Sequence, residues 1–100
     1  MTLNEILQDI HALEEDLLVF ERKYGVLTET FYEAYEQGEE PEDDAWVLDW
    51  SEWAGTYQLL NERQARYRRT IQSLVNQPSI SSLTHLIGYT ARHESLPVPG

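Results

Sequence analysis

The densest group of reactive side chains in this 100-residue sequence is acidic: Glu36, Glu39, Glu40, Glu42, Asp43 and Asp44 crowd into one short stretch. Carboxylates suit hard cations such as Ca²⁺ or Mg²⁺. The spacing does not follow a calcium-binding helix–loop–helix, which sets acids at alternating positions around a central glycine. Two other uses fit the cluster. It can present a field like that of a phosphate backbone to a basic groove, or it can be a solvated loop ending in a helix N-cap. A helical metal-dependent nucleotide hydrolase would need carboxylates one turn apart on facing helices, all aimed inward. Asp49 and Glu52 have that spacing but lie beside a row of tryptophans, and Glu14, Glu15 and Asp16 flank an apolar seam. No metal site and no catalytic residue is expected.

The other candidates for chemistry are sparse. His85 and His93 are eight residues apart, not a metal-pair spacing on a helix, and His11 lies beside the first seam. No serine is set with a base and an orienting acid. The absence of cysteine rules out disulfides, thiolate zinc sites and a cysteine nucleophile, and agrees with a reducing cytoplasm. The chain therefore reads as a non-enzyme without cofactors. Four of the seven basic residues are Arg63, Arg66, Arg68 and Arg69, which with Tyr67 form a small phosphate-binding face. They span two turns of a molecule whose net charge is −11. Pairing with acids of the first helix or of a symmetry mate suits them better than nucleic acid, which is not expected to bind by itself. Between Lys23 and Arg63 there are 11 acids and no base, so a strongly acidic region faces outward toward any basic partner.

The elements that must position these groups are helices. Leu3, Ile6, Ile10, Leu13, Leu17, Phe20 and Tyr24 alternate in steps of three and four, a heptad seam that keeps one apolar stripe toward a neighbour. Thr2 with Glu5 forms a capping box, and Gly25 supplies a left-handed cap, so a helix is predicted over 3–24. Thr28 is read as the cap of a shorter helix carrying Phe31, Tyr32 and Tyr35, closed by Gly38. Trp46, Trp50, Trp53, Tyr57, Leu60, Gln64, Tyr67, Ile71 and Leu74 form a longer seam, apolar or aromatic in eight of nine positions. Capped by Asp43 or Asp44, it predicts a helix over 44–76. Gly55 within it suggests close contact with another helix, since glycine costs about 1 kcal/mol there.

The predicted fold is all-α: an antiparallel hairpin of two long heptad-patterned helices with a short helix between them. Residues 1–77 form the helical domain. Residues 78–100 form a tail in which Leu83, Leu86 and Ile87 can make one or two serine-capped turns, while Leu96–Gly100 is non-helical. A chain this short buries only about 60–65% of its unfolded surface. The third helix outruns the first by about 10 residues at 1.5 Å each, and its surplus seam at Tyr67, Ile71 and Leu74 has no cover in sight. A homodimer completing a bundle, or a hetero-oligomer, is the expected remedy. No apolar run is long enough for a membrane span, and Glu5 and Asp9 do not suit a signal peptide.

Lys23-Tyr24-Gly25, Phe31, Tyr35, Gly38-Glu39, Asp43-Asp44 and Glu52-Trp53-Ala54-Gly55 with Tyr57 resemble a pattern in small acidic antitoxins of type II toxin–antitoxin pairs, the TumA/TumE type. The resemblance covers residues 21–60. It implies a cytoplasmic, non-enzymatic protein that neutralises a small basic, RNA-directed toxin by occlusion, with no catalytic residues. In that role Glu39, Glu40, Asp43 and Asp44 would steer the toxin, Trp53 and Tyr57 would anchor it, and Tyr67, Ile71 and Leu74 would add an apolar edge. A homo-oligomeric helical scaffold or adaptor is the alternative, and a metal-dependent nucleotide hydrolase a lesser one.

Overall fold

A computed structural model describes residues 1–80 and 82–91; the readings placed on His93 and on Leu96–Gly100 lie outside those residues. The described chain is all-α, with no strand: α1 (Leu3–Tyr24), α2 (Thr28–Glu36), a 3-10 turn (Asp44–Trp46) leading into α3 (Val47–Val75), and α4 (Leu83–Thr90).

The termini follow local chemistry. At the start of α1 the Thr2 N–H donates to Glu5 Oε1 and the Glu5 N–H to Thr2 Oγ1, both at 3.2 Å, which closes the capping box. The Thr2 N–H, bonded to the ionised Glu5 carboxylate, is the main cause that lowers the Glu5 carboxyl from its ordinary value, with the Thr2 side chain adding to it. α1 ends at Gly25, whose φ of 75° is costly for any residue with a Cβ. α2 closes on Gly38 (φ 89°): the Gly38 N–H donates to the Tyr35 carbonyl and the Glu39 N–H to the Ala34 carbonyl, the paired bonds of a Schellman end. Asp43 caps the 3-10 turn by accepting from the Ala45 N–H at 2.9 Å, and Ser82 caps α4 by accepting from the His85 N–H at 3.2 Å. One predicted cap is corrected. The residue before α2 is Leu27, which offers no side-chain bond, and Thr28 lies inside the helix with its hydroxyl committed elsewhere.

The described residues divide into two compact units, one of His11–Asn61 and one of Met1–Ile10 with the described residues after Asn61. In the 11–61 unit the buried centre is Leu17, Phe31, Trp53, Ala54 and Leu60. It is built mainly by rings. Trp53 stacks on Phe31 with centroids 3.9 Å apart and planes 1° from parallel, and Phe20 and Tyr24 lie nearly parallel to Trp53 at 5.7 and 5.5 Å.

In the other unit Leu3, Leu74, Ile80 and Leu86 form one buried cluster, with Tyr67 and Ile71 packed against it. This overturns the prediction that the surplus seam lacks intrachain cover. The turn after Val75 brings Ile80 and then Leu86 of α4 onto Leu74, which is left 2% exposed. In the same unit Arg63 reaches Asp9 at 3.4 Å, the predicted pairing with an acid of the first helix. No position of either heptad seam is exposed, so the 3–4 alternation located the inward face of α1 and α3 correctly.

Gly55 is also corrected. A Cβ built on it meets nothing within 4 Å, so no close helix contact among the described residues explains it. With free space and helical backbone, Gly55→Ala should raise stability by about 1 kcal/mol. For a chain of this size that is a rise in melting temperature of roughly 4–8 °C, readable by circular dichroism. An unchanged or lower melting temperature would show that the position is constrained.

Candidate partner-binding pocket

The 11–61 unit carries a pocket of about 470 Å³ that includes Lys23 and Tyr24 from the end of α1, Phe31 and Ala34 from α2, Glu39 from the loop, Trp46 from the 3-10 turn, and Trp50 and Trp53 from α3. Side-chain hydrogen bonds hold Trp53, Tyr24 and Lys23, and ring contacts place Trp46 and Trp50. The Trp53 indole N–H donates to Thr28 Oγ1 at 3.0 Å. The Thr28 hydroxyl and backbone N–H both donate to Glu21 Oε2 at 2.8 Å. Glu21 thus fixes Thr28, and Thr28 fixes the depth and tilt of the indole. This explains the buried threonine: its oxygen is fully used, as a buried hydroxyl must be. Trp46 meets Tyr24 edge-on at 5.8 Å (82°), and Trp50 meets Phe31 edge-on at 5.3 Å (82°).

Asp49 ties the rim together. Its Oδ2 accepts from Lys23 Nζ and from the Tyr24 hydroxyl, each at 2.6 Å. Those donors, Lys23 first, hold the Asp49 carboxyl below its ordinary range. The bond to Asp49 raises the Lys23 ammonium. Burial, then the bond to Asp49, raises the Tyr24 phenol. The signs follow directly. Asp49 contributes stability above its unfolded-state value, lost as pH falls through the depressed folded one. Lys23 and Tyr24 contribute below their unfolded values, lost as pH rises through the raised folded ones. The cluster therefore favours the fold across the neutral range and fades at both extremes, with a small amplitude because Lys23 is largely solvated. Asp49→Asn should flatten the acid limb of a stability–pH profile measured by urea melts; an unaltered limb would contradict the assignment.

The site residues predicted from the sequence divide between the two units. Trp53 and Glu39 both line the pocket. Trp53 is 1% exposed, however, so it is the floor of the site and not the projecting anchor expected of it; three parallel rings enclose it. Tyr57 is half-buried outside the pocket, 4.8 Å from Tyr32. Glu40, Asp43 and Asp44 are exposed on the acidic loop. Tyr67, Ile71 and Leu74 belong to the other unit, and Leu74 is core there. Trp46 and Trp50 were candidates for an interaction hot spot only by residue type, and the walls made by Tyr24 and Phe31 were not foreseen as a site. Trp46 and Trp50 were legible as the opening of the long apolar seam, but the hollow they share with Tyr24 and Phe31 was not.

Two further hollows exist. An open groove of about 490 Å³ in the 11–61 unit is lined by Val19, Phe20, Gly55 and Leu59 with Asp16 and Glu52 at its sides. One of about 310 Å³ in the other unit includes Leu7, Tyr67, Ile71, Leu83 and Ile87. Among the described residues no three carboxylate or histidine side chains converge as a metal site would require, and no helix is long and apolar enough to cross a membrane. His11 and His85 are exposed. Arg68 and Arg69 are exposed, whereas Arg63 is engaged by Asp9 and Glu62.

The fold and site thus define an all-α protein with an aromatic pocket beside an acidic loop. No protein-family model, curated protein or solved structure matches the chain.

Proposed function

We propose that this chain is a non-enzymatic, cytoplasmic binding module for a basic protein, acting as antitoxins do by covering its partner. The observation that carries this reading is the aromatic pocket opening beside an exposed run of carboxylates within one compact unit. Tryptophan and tyrosine supply large contact area at small entropic cost and dominate binding hot spots. The acids supply steering and select against acidic or phosphate-bearing partners. The antitoxin form of the reading rests on the likeness over residues 21–60, and five of its residues, Lys23, Tyr24, Phe31, Glu39 and Trp53, line the pocket. An antiparallel arrangement of α1 and α3 accords with it. A second copy of the chain is the poorer partner, because two molecules at −11 repel and the seam meant to pair them is already covered.

The test is co-purification from the native host, followed by a charge-reversed loop. A basic protein is expected in equal amount with the wild-type chain and lost with Glu40→Lys/Glu42→Lys; its toxicity when expressed alone should be relieved by this chain. A partner that is acidic, or that is retained by the reversed loop, would contradict it.

A further inference from the structure

We infer that the aromatic pocket is a receptor for a cationic side chain, a lysine or arginine presented by the basic partner. This deepens the reading above and rests on it.

Three observations carry the inference. The first is ring geometry. Tyr24 and Trp46, and likewise Phe31 and Trp50, stand 82° apart. Perpendicular rings around one hollow offer π-faces in more than one direction, which is how aromatic boxes hold ammonium and guanidinium groups. The second is charge. Of the two ionised groups lining the pocket, Lys23 is matched by Asp49 at 2.6 Å, and the Glu39 carboxylate remains as the excess charge. The acids at positions 40, 42, 43 and 44 follow it in the chain, so the field favours a cation over a neutral guest. The third is a precedent inside the molecule: the Lys23 ammonium already lies 5.6 Å from the Tyr24 ring centroid, within cation–π range. An apolar guest would fill the same volume and use neither the carboxylate nor the ring faces as charge acceptors.

The experiment titrates the full chain with N-acetylated tripeptide amides, Gly-X-Gly, where X is lysine, arginine or norleucine, following the indole N–H signals of Trp46 and Trp50 by NMR. Saturable shifts are expected for lysine and arginine, with norleucine at least tenfold weaker. Trp50→Ala should weaken lysine binding at least tenfold while far-UV circular dichroism is unchanged. Should Trp50→Ala fail to fold, Glu39→Gln supplies the readout: severalfold weaker binding with a shallower salt dependence. Norleucine binding as tightly as lysine, an unaltered affinity in Glu39→Gln, or no saturable shift with any of the three peptides would overturn the inference. The two readings fail separately. A basic partner captured as tightly by Trp50→Ala as by the wild type sinks the pocket and leaves the binding module, whereas cation-selective titrations with no basic partner in the host sink the module and leave the pocket.

Discussion

Replacing Trp53 by alanine is expected to cost about 3–5 kcal/mol, the range for deleting a fully buried aromatic ring. Domains of this size have only about 5–15 kcal/mol to lose, so the variant should be largely unfolded or close to it at 37 °C. The reason lies in how much converges on one indole. It is 1% exposed, stacks on Phe31 at 3.9 Å, runs parallel to Phe20 and Tyr24, and is the only one of the three tryptophans whose N–H donates inside the described structure. Trp53→Phe separates ring from hydrogen bond. It retains most of the stack and loses the donor to Thr28, which should cost about 1 kcal/mol for the bond beyond the lost volume. Urea melts compare the two; near-equal stability of Trp53→Ala and wild type would mean that the aromatic core is not where the 11–61 unit gains its stability.

The second large effect is expected at the other unit. Leu74→Ala and Leu86→Ala should each cost about 2–5 kcal/mol, since Leu74 is 2% and Leu86 3% exposed in one cluster with Leu3 and Ile80. Because the two side chains share a cavity, the double variant should cost measurably less than the sum of the singles. Leu83→Ala, on the solvent side of the same short helix at 66% exposure, should shift stability by no more than about 0.5 kcal/mol. If Leu86→Ala were as mild as Leu83→Ala, α4 would not be part of the core, and Tyr67, Ile71 and Leu74 would again need another chain.

Much of this architecture was legible in the residues. The 3–4 alternation placed the inward stripe of α1 and α3, missing only the buried Ala54 and Thr70 of α3, and the Thr2–Glu5 box, Gly25, Gly38 and a serine ahead of Leu83 marked ends that the structure reproduces within a residue or two. These signals are local, since a cap or a stripe is decided by residues three or four apart. What was not legible depended on contacts distant in sequence. Thr28 looked like a cap because threonine before a helix usually is one, yet its hydroxyl is drawn to Glu21 and to an indole 25 residues away. Trp53 read both as core, from its heptad spacing, and as an anchor, because tryptophan is enriched at hot spots; its burial between α1, α2 and α3 decides for core. Gly55 suggested a close helix crossing, and only the space around it shows none. The surplus seam looked open because Pro78 and Ser79 read as the start of a tail, while a turn of a few residues is enough to fold Ile80 and Leu86 back onto Leu74. The pocket was hidden for a related reason: its walls come from four segments, and spacing along one helix cannot reveal a concavity shared by several.

One chain that completes its own core should need no copy of itself, and its recognition surface should then be the aromatic pocket and the acidic loop. Sedimentation equilibrium of the purified chain, from micromolar to millimolar concentration at physiological salt, tests this most directly. A single species with the mass of one chain across the whole range is the predicted result. A species of twice that mass, separating only when the helices melt, would contradict it and return Tyr67 and Ile71 to a shared interface.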